Sequence, residues 1–299
     1  MPRDLEPSHA ESQFVLEALE EQLRLDFRGA SEFRKLSLSF GSEYGLVEVL
    51  LGETRVLCRV TATIVRPFED RPFDGQFIVN TEMSAFVGQS RGPGQNEEEL
   101  LISRTLEKSV RRSRALDTES LCIVAGKQCW QIRADIHFLN NEGNLLDAAC
   151  LALTTSLLHF RRPDTKVHGE QVTVYTLKQR VPVPLQLTHL PICLTFSFFS
   201  HGKIVLIDAS RQEEILRSGE ISITMNKSKE LSQINKAGGV AITPDVLMKC
   251  LNIAVAKTQE LTKVIEDAVK NDLRSKEEQF IGGQAESDRV QGVDDRPGV

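Results

Sequence analysis

The stretch from Leu121 to Phe160, LCIVAGKQCWQIRADIHFLNNEGNLLDAACLALTTSLLHF, constrains the fold more than any other. An apolar run from Leu121 to Ala125, a Gly126-Lys127 punctuation and alternating Trp130, Ile132, Ala134, Ile136 and Phe138 predict a β-hairpin with one buried face. The segment Asn140-Asn141-Glu142-Gly143-Asn144 carries turn chemistry. From Asp147, read as the cap, the apolar residues Ala148, Leu151, Ala152, Leu157 and Leu158 predict a largely buried helix, which Arg161-Arg162-Pro163 stops.

The same unit recurs downstream. Pro191 to Phe199 and Lys203 to Asp208 read as strands around the turn Ser200-His201-Gly202, and Glu220 to Asn226 with Glu230 to Lys236 as a second hairpin. A long helix follows Ala237-Gly238-Gly239, with Pro244 at its start and Leu247, Leu251, Ala254, Leu261, Ile265 and Ala268 as its buried stripe. Hairpin then helix, twice, points to two related halves. Beyond Lys270 the chain turns charged and Gly-rich, which predicts disorder.

Upstream, Ser8-His9-Ala10-Glu11 forms a capping-box pattern ahead of an apolar stripe of Val15, Ala18, Leu19 and Leu23. Leu36 to Met83 alternates in four short strands, which predicts an antiparallel meander. The Gly-rich run from Phe86 to Glu98 reads as a mobile loop and has no GxxxxGK[ST] pattern to cradle a nucleotide. Between Glu99 and Arg114 the helical period puts Arg104, Lys108 and Arg111 on one side, with Arg112 adjacent, and Ile102, Leu106 and Val110 on the other. Such a cationic face is either simply solvated or a track for nucleic-acid phosphates.

Composition narrows the classes. With 40% hydrophobic and 26% charged residues in 299, the chain can bury a sizeable core. Its net charge of -6 means that RNA contact needs a local basic patch. No apolar run approaches the ~20 residues of a membrane helix, and the start MPRDLEPSHAES has no secretory apolar region, so the expected setting is the cytosol or nucleus, away from membranes. The six cysteines lie among apolar neighbours without a CxxC pair, which favours reduced core thiols over metal or disulfide. His137 and His159, on apolar elements, read as hydrogen-bonded core histidines. No acidic cluster suited to paired metals is visible, and no cofactor or metal is expected.

Several motifs carry a resemblance. Arg24-Leu25-Asp26-Phe27-Arg28, Ser120 to Gly126, Trp130-Gln131-Ile132-Arg133, His159 to Asp164, Pro182 to Leu185 and His189 to Cys193 together resemble the RNase PH family and, within it, the non-catalytic ring subunits of the eukaryotic RNA exosome. The first departs from the family's Arg-Leu-Asp-Gly-Arg by Phe27, and its Arg24 and Arg28 are either functional or surface charges. The resemblance implies an α+β, RNase PH-like (ribosomal protein S5 domain 2-like) fold of mixed sheets packed with helices: an N-terminal helix and arm over 1–30, halves over 31–190 and 191–271, and a disordered tail over 272–299.

It also implies a defect. Active members hold phosphate at the turn before the central helix with an Arg, where this chain reads Asn144-Leu145-Leu146, and Leu146 stands at the Arg position. Glu220 is the nearest match to the family's catalytic acid, with Asp208 the second acid of the region. The expected role is therefore a non-enzymatic ring subunit that supports 3′-5′ RNA processing and degradation in nucleus, nucleolus and cytoplasm. Its implied partners are RNase PH-like ring subunits, S1/KH-type cap proteins, a separate hydrolytic exoribonuclease and single-stranded RNA, the last meeting Arg104, Lys108, Arg111 and Arg112. An active phosphate-dependent 3′-5′ exoribonuclease and a pure scaffold without RNA contact are the alternatives.

Overall fold

The computed structural model describes the backbone of residues 7–84, 97–168, 171–176 and 179–291. The first half comprises α1 (His9–Glu20), β1 (Leu36–Phe40), β2 (Leu46–Leu51), β3 (Thr54–Val65), β4 (Gln76–Met83), α2 (Glu97–Ser113), β5 (Cys122–Val124), β6 (Gln128–Asn140) and α3 (Leu145–His159). Small strands β7 (Arg161–Arg162), β8 (Thr165–His168), β9 (Gln171–Val174) and β10 (Val183–Pro184) lead to the second half. That half holds β11 (Ile192–Phe199), β12 (Ile204–Ile207), α4 (Arg211–Leu216), β13 (Gly219–Met225), β14 (Leu231–Asn235) and α5 (Pro244–Gln291).

The two sheets run β1-β2-β3-β6-β4, with β5 paired to β6, and β12-β11-β13-β14. The meander expected over Leu36 to Met83 holds for β1 to β3 only. The strand β6 inserts between β3 and β4, and β4 pairs parallel to it, with α2 in the connection. Period-2 alternation leaves β6 one apolar face, on which Trp130, Ile132, Ala134, Ile136 and Phe138 are all buried.

Helix α3 packs against β2 and β3 of the first sheet and β11 of the second. Contact on both sides explains its near-continuous apolar sequence, since no face remains for solvent. Its Thr154 and Thr155 are tolerated in the core because their hydroxyls donate to Cys150 O at 2.8 Å and Leu151 O at 2.6 Å. Ser8 and Glu11 form the expected capping box of α1, whose Val15 and Leu19 pack on Phe199 and Leu206, while Leu23 lies beyond the helix and is exposed.

Two expectations change. His159 is a buried core histidine, but His137 is partly exposed and sits 3.3 Å from Glu82. The chain beyond Lys270, expected to be disordered, continues as helix to Gln291. Composition missed the local reasons: good helix formers, an Asp272–Lys276 pair at 3.1 Å, and a latch to the body. In that latch Lys276 Nζ donates to Gly41 O at 2.7 Å, and His159 Nε2 lies 3.0 Å from Asp272 Oδ2. The Gly-rich loop read over Phe86 to Glu98 falls almost entirely outside the described residues.

Candidate functional site

The turn before α3 is built by close backbone approach. Gly143 has φ +88°, and a Cβ there would sit 2.6 Å from Ala209 O, Ser210 C and Arg211 N. Residues 141–144 therefore lie directly against 208–211, and the Arg211 N–H donates to Glu142 O at 3.1 Å. Asn144, left-handed at φ 57° and ψ 45°, is the residue that precedes the helix, and it makes no side-chain cap bond.

Asp147 is not the cap. It lies in the first turn of α3 without solvent exposure, where Oδ2 accepts from Thr195 N at 2.9 Å and Oδ1 from Thr195 Oγ1 at 2.7 Å. The carboxyl thus stitches α3 to β11 of the second sheet. Burial pushes it up to about 7, against the two Thr195 bonds that favour its ionised form. The unfolded chain loses this proton near the ordinary Asp value and the folded chain keeps it until about 7, so stability falls as pH rises through that window and levels off above it. Asp147→Asn, which can still accept from Thr195 N, is expected to flatten this fall. In urea titrations at pH 5 and pH 8 the variant should lose less stability between the two than the parent. An equal loss in both proteins would show that Asp147 does not hold that proton.

A carboxylate of the chain occupies the place an anion would take. The Asn144 N–H donates to Glu214 Oε1 at 2.8 Å, so α4 plugs the N-terminus of α3, where free amides and the macrodipole attract negative charge. Burial pushes Glu214 up to about 7, and the Arg217 charge works against it. Leu145 is buried and Leu146 half-buried against the core, so neither offers a cation. The Arg217 guanidinium lies 3.6 Å from Glu214 Oε1 and 2.7 Å from Glu220 Oε2, held between two acids. An incoming phosphate would have to displace Glu214 and then share Arg217 with Glu220. Of the two candidate acids, Glu220 is thus neutralised by Arg217.

Asp208 is neutralised more thoroughly. Fully buried, it accepts from Arg28 Nη1 at 2.9 Å, Arg34 N at 2.7 Å, Arg34 Nη2 at 2.7 Å and Asn144 Nδ2 at 2.8 Å. Burial alone would raise its pKa; the hydrogen bonds and charge of Arg34 outweigh burial and hold the carboxyl below the usual range. Arg24, 3% exposed, forks onto Glu213 at 3.0 and 2.7 Å and also donates to Asp208 O at 2.9 Å. The surface-charge reading of Arg24 and Arg28 therefore gives way to a buried ionic latch between the N-terminal arm and α4.

Arg34 carries no signal in the sequence, yet it joins three separate segments. Beyond Asp208 it donates to Thr54 Oγ1 at 3.2 Å, Glu142 O at 2.8 Å and Gly143 O at 3.0 Å. No local pattern marks it, because all these partners are distant in the chain.

The helix α2 has the two faces expected of it. Arg104, Lys108, Arg111 and Arg112 are exposed, and Ile102, Leu106 and Val110 are buried. Ser103 Oγ donates to Val79 O at 3.0 Å and Thr81 Oγ1 to Glu99 O at 3.1 Å, which fixes the helix on β4. Arg111 pairs with Glu107 at 3.1 Å, and Arg104, Lys108 and Arg112 make no ion pair among the described residues. Among those residues no group of His, Cys, Asp and Glu is arranged to hold a metal, and all six cysteines are free thiols.

Two family models match this architecture: domain 1 of the 3′ exoribonuclease family, RNase PH, over residues 32–163, and domain 2 of the same family over residues 189–257. The chain belongs to the RNase PH family. Among RNase PH relatives it is 49% identical to the exosome complex component rrp45 of Schizosaccharomyces pombe, over 97% of this chain and 100% of that protein. It is 42% identical to the human exosome complex component RRP45, over 94% of this chain and 64% of that one. Of solved structures, an Archaeoglobus fulgidus exosome with RNA bound to the active site matches with TM-score 0.74 and 27% identity, over 85% of this chain and 97% of that one. An archaeal exosome core matches with TM-score 0.72 and 26% identity, over 86% and 96%.

Proposed function

We propose that the chain is a non-catalytic RNase PH-like subunit of an RNA exosome ring, supporting 3′-5′ RNA processing and degradation by building the ring and guiding RNA to a separate hydrolytic nuclease. The observation that carries this reading is the occupied anion position: Glu214 caps α3 where phosphate would bind, and Leu146 stands where the family places its Arg. Phosphorolysis needs inorganic phosphate held in line with the scissile bond and its charge neutralised during attack. Here the groups that would do so are absent or already paired. The similarity to exosome components supports a place in an exosome ring; to this the reading adds RNase PH-like neighbours, S1/KH-type cap proteins and a setting in nucleus, nucleolus and cytoplasm.

The expected result is no phosphate-dependent release of nucleoside diphosphates from RNA by the purified chain, alone or with its ring neighbours, at millimolar phosphate. Phosphorolysis above background that Glu220→Ala abolishes would make the chain an enzyme. Glu220 suits this control better than Asp208, because its partner Arg217 is partly exposed and its loss should leave the fold intact.

A further inference from the structure

The hairpin of β5 and β6 sets two cysteines against each other. Cys122 and Cys129 are directly opposite partners in this antiparallel pair, so their side chains leave the same face of the ribbon. Opposed residues of this kind have Cα atoms about 4.5–5.5 Å apart, inside the span of about 4.4–6.8 Å that a disulfide accepts. Their Cβ atoms, at about 4.5–5.5 Å, need to close by roughly 1 Å to reach the disulfide range of about 3.5–4.5 Å. The strand can supply that movement. The register shifts between Cys122 and Val124, a bulge on β5 that lets the chain bend locally.

The surroundings give the two thiols different parts. Cys122 is partly exposed, and Cys129 is fully buried. Burial, with the neighbouring Cys122 adding to it, pushes the Cys129 thiol up, so Cys129 stays protonated and makes a poor first nucleophile. Cys150 and Cys193 also interact, but both are enclosed where α3 meets β11, and burial pushes Cys150 up to about 12 and Cys193 well above its usual value. Cys58 and Cys250 are buried as well. Of the six, only Cys122 offers surface to a dissolved oxidant, and a second thiol stands directly across from it.

We propose that Cys122 and Cys129 are a redox pair, which a low-molecular-weight disulfide such as glutathione disulfide converts to a cross-strand disulfide that clamps the hairpin. The Cys122 thiolate attacks one sulfur of glutathione disulfide, forming a mixed disulfide and releasing one glutathione thiolate. Cys129, as its thiolate, then attacks Cys122 Sγ: the Cys122–Cys129 bond forms, the mixed disulfide breaks and the second glutathione leaves. The two cysteine protons end on the two glutathione molecules, so two protein thiols are oxidised and one glutathione disulfide is reduced. The clamp also reaches a neighbouring segment. The Gly126 N–H at the hairpin tip donates to Pro72 O at 2.9 Å, and a Cβ on Gly75 would sit 2.8 Å from Trp130 O, so residues 66–75 rest on this hairpin. Oxidation stiffens the seat of that segment. The pair is independent of the RNA-guiding reading and holds whether or not α2 meets RNA.

The test exposes the full chain, within the complex purified from its own cells, to a series of ratios of glutathione disulfide to glutathione, traps the remaining thiols with N-ethylmaleimide and digests with trypsin without reduction. Cleavage after Lys127 separates the two cysteines, so the expected product is peptide 115–127 joined to peptide 128–133 through Cys122 and Cys129. Dithiothreitol should reverse it. Cys129→Ala should stop at glutathionylated Cys122, and Cys122→Ser should leave Cys129 unmodified at ratios that fully oxidise the parent. In the oxidised parent, amide hydrogen exchange around Gly126 should slow at least tenfold. Maleimide on both cysteines at every ratio, glutathionylated Cys122 in the parent without the linked peptide, a bond from either cysteine to any other, or exchange around Gly126 unchanged by oxidation would each overturn the proposal.

Discussion

Asp208→Ala is expected to destabilise the chain by roughly 3–5 kcal/mol, the range for removing one partner of a buried ionic group. The carboxylate receives Arg28, Arg34 and Asn144 in a site without solvent exposure, so its removal leaves the Arg34 guanidinium without a counter-charge and Arg28 with Asp26 alone. The damage should spread beyond the site. Arg34 also holds the carbonyls of Glu142 and Gly143, and a loosened Arg34 frees the turn that starts α3. A shift of the urea midpoint with unchanged slope would report this loss. A carboxylate kept for chemistry behaves differently, because catalytic groups are commonly removed with little loss of stability. Should Asp208→Ala melt within about 1 kcal/mol of the parent, below the stated range for a buried partner, Asp208 would be a spare acid and the structural reading of the latch would fail.

The contrast between Asp208 and Asp147 shows which parts of the site a sequence can carry. The buried helix α3, its hairpin and the two-faced α2 are local patterns of period 2 or 3.6, and each appears where its pattern lies. Strand order is not local: nothing in β3, β4 or β6 taken singly states that β6 lies between the other two. Capping was misread for a related reason. Asp147 has the chemistry of a cap, but its partner is Thr195, 48 residues away, and the turn is instead closed by a left-handed Asn144. Arg34 and Asp208 are 174 positions apart and belong to no motif, although Arg34 ties Asp208 to the turn before α3. The resemblance implies that Leu146 stands at the family's Arg position. It could not show that Glu214 accepts from the Asn144 N–H, because that depends on how α4 packs against the α3 turn.

Reversing the charge of α2 with Arg104→Glu, Lys108→Glu and Arg111→Glu together is expected to weaken RNA binding by the assembled complex at least roughly tenfold near physiological salt, for all sequences alike. Each lysine or arginine that meets a phosphate on a single strand releases a counterion and contributes about 0.7 to the salt slope, so three lost contacts should lower the slope by about 2. The fold should survive. The three side chains are exposed, exposed pairs contribute ~0 to 1 kcal/mol, and the buried face of Ile102, Leu106 and Val110 is untouched. The Arg111–Glu107 pair becomes a like-charge pair, which costs a few tenths of a kcal/mol. Arg112, at the edge of the stripe, is left in place so that any contact it makes with a neighbouring subunit persists. The readouts are complex assembly by size-exclusion chromatography and binding of a long single-stranded RNA across a salt series. Normal assembly with parental affinity and slope at every salt concentration would make α2 a solvated face, and the pure scaffold would replace the RNA-guiding subunit.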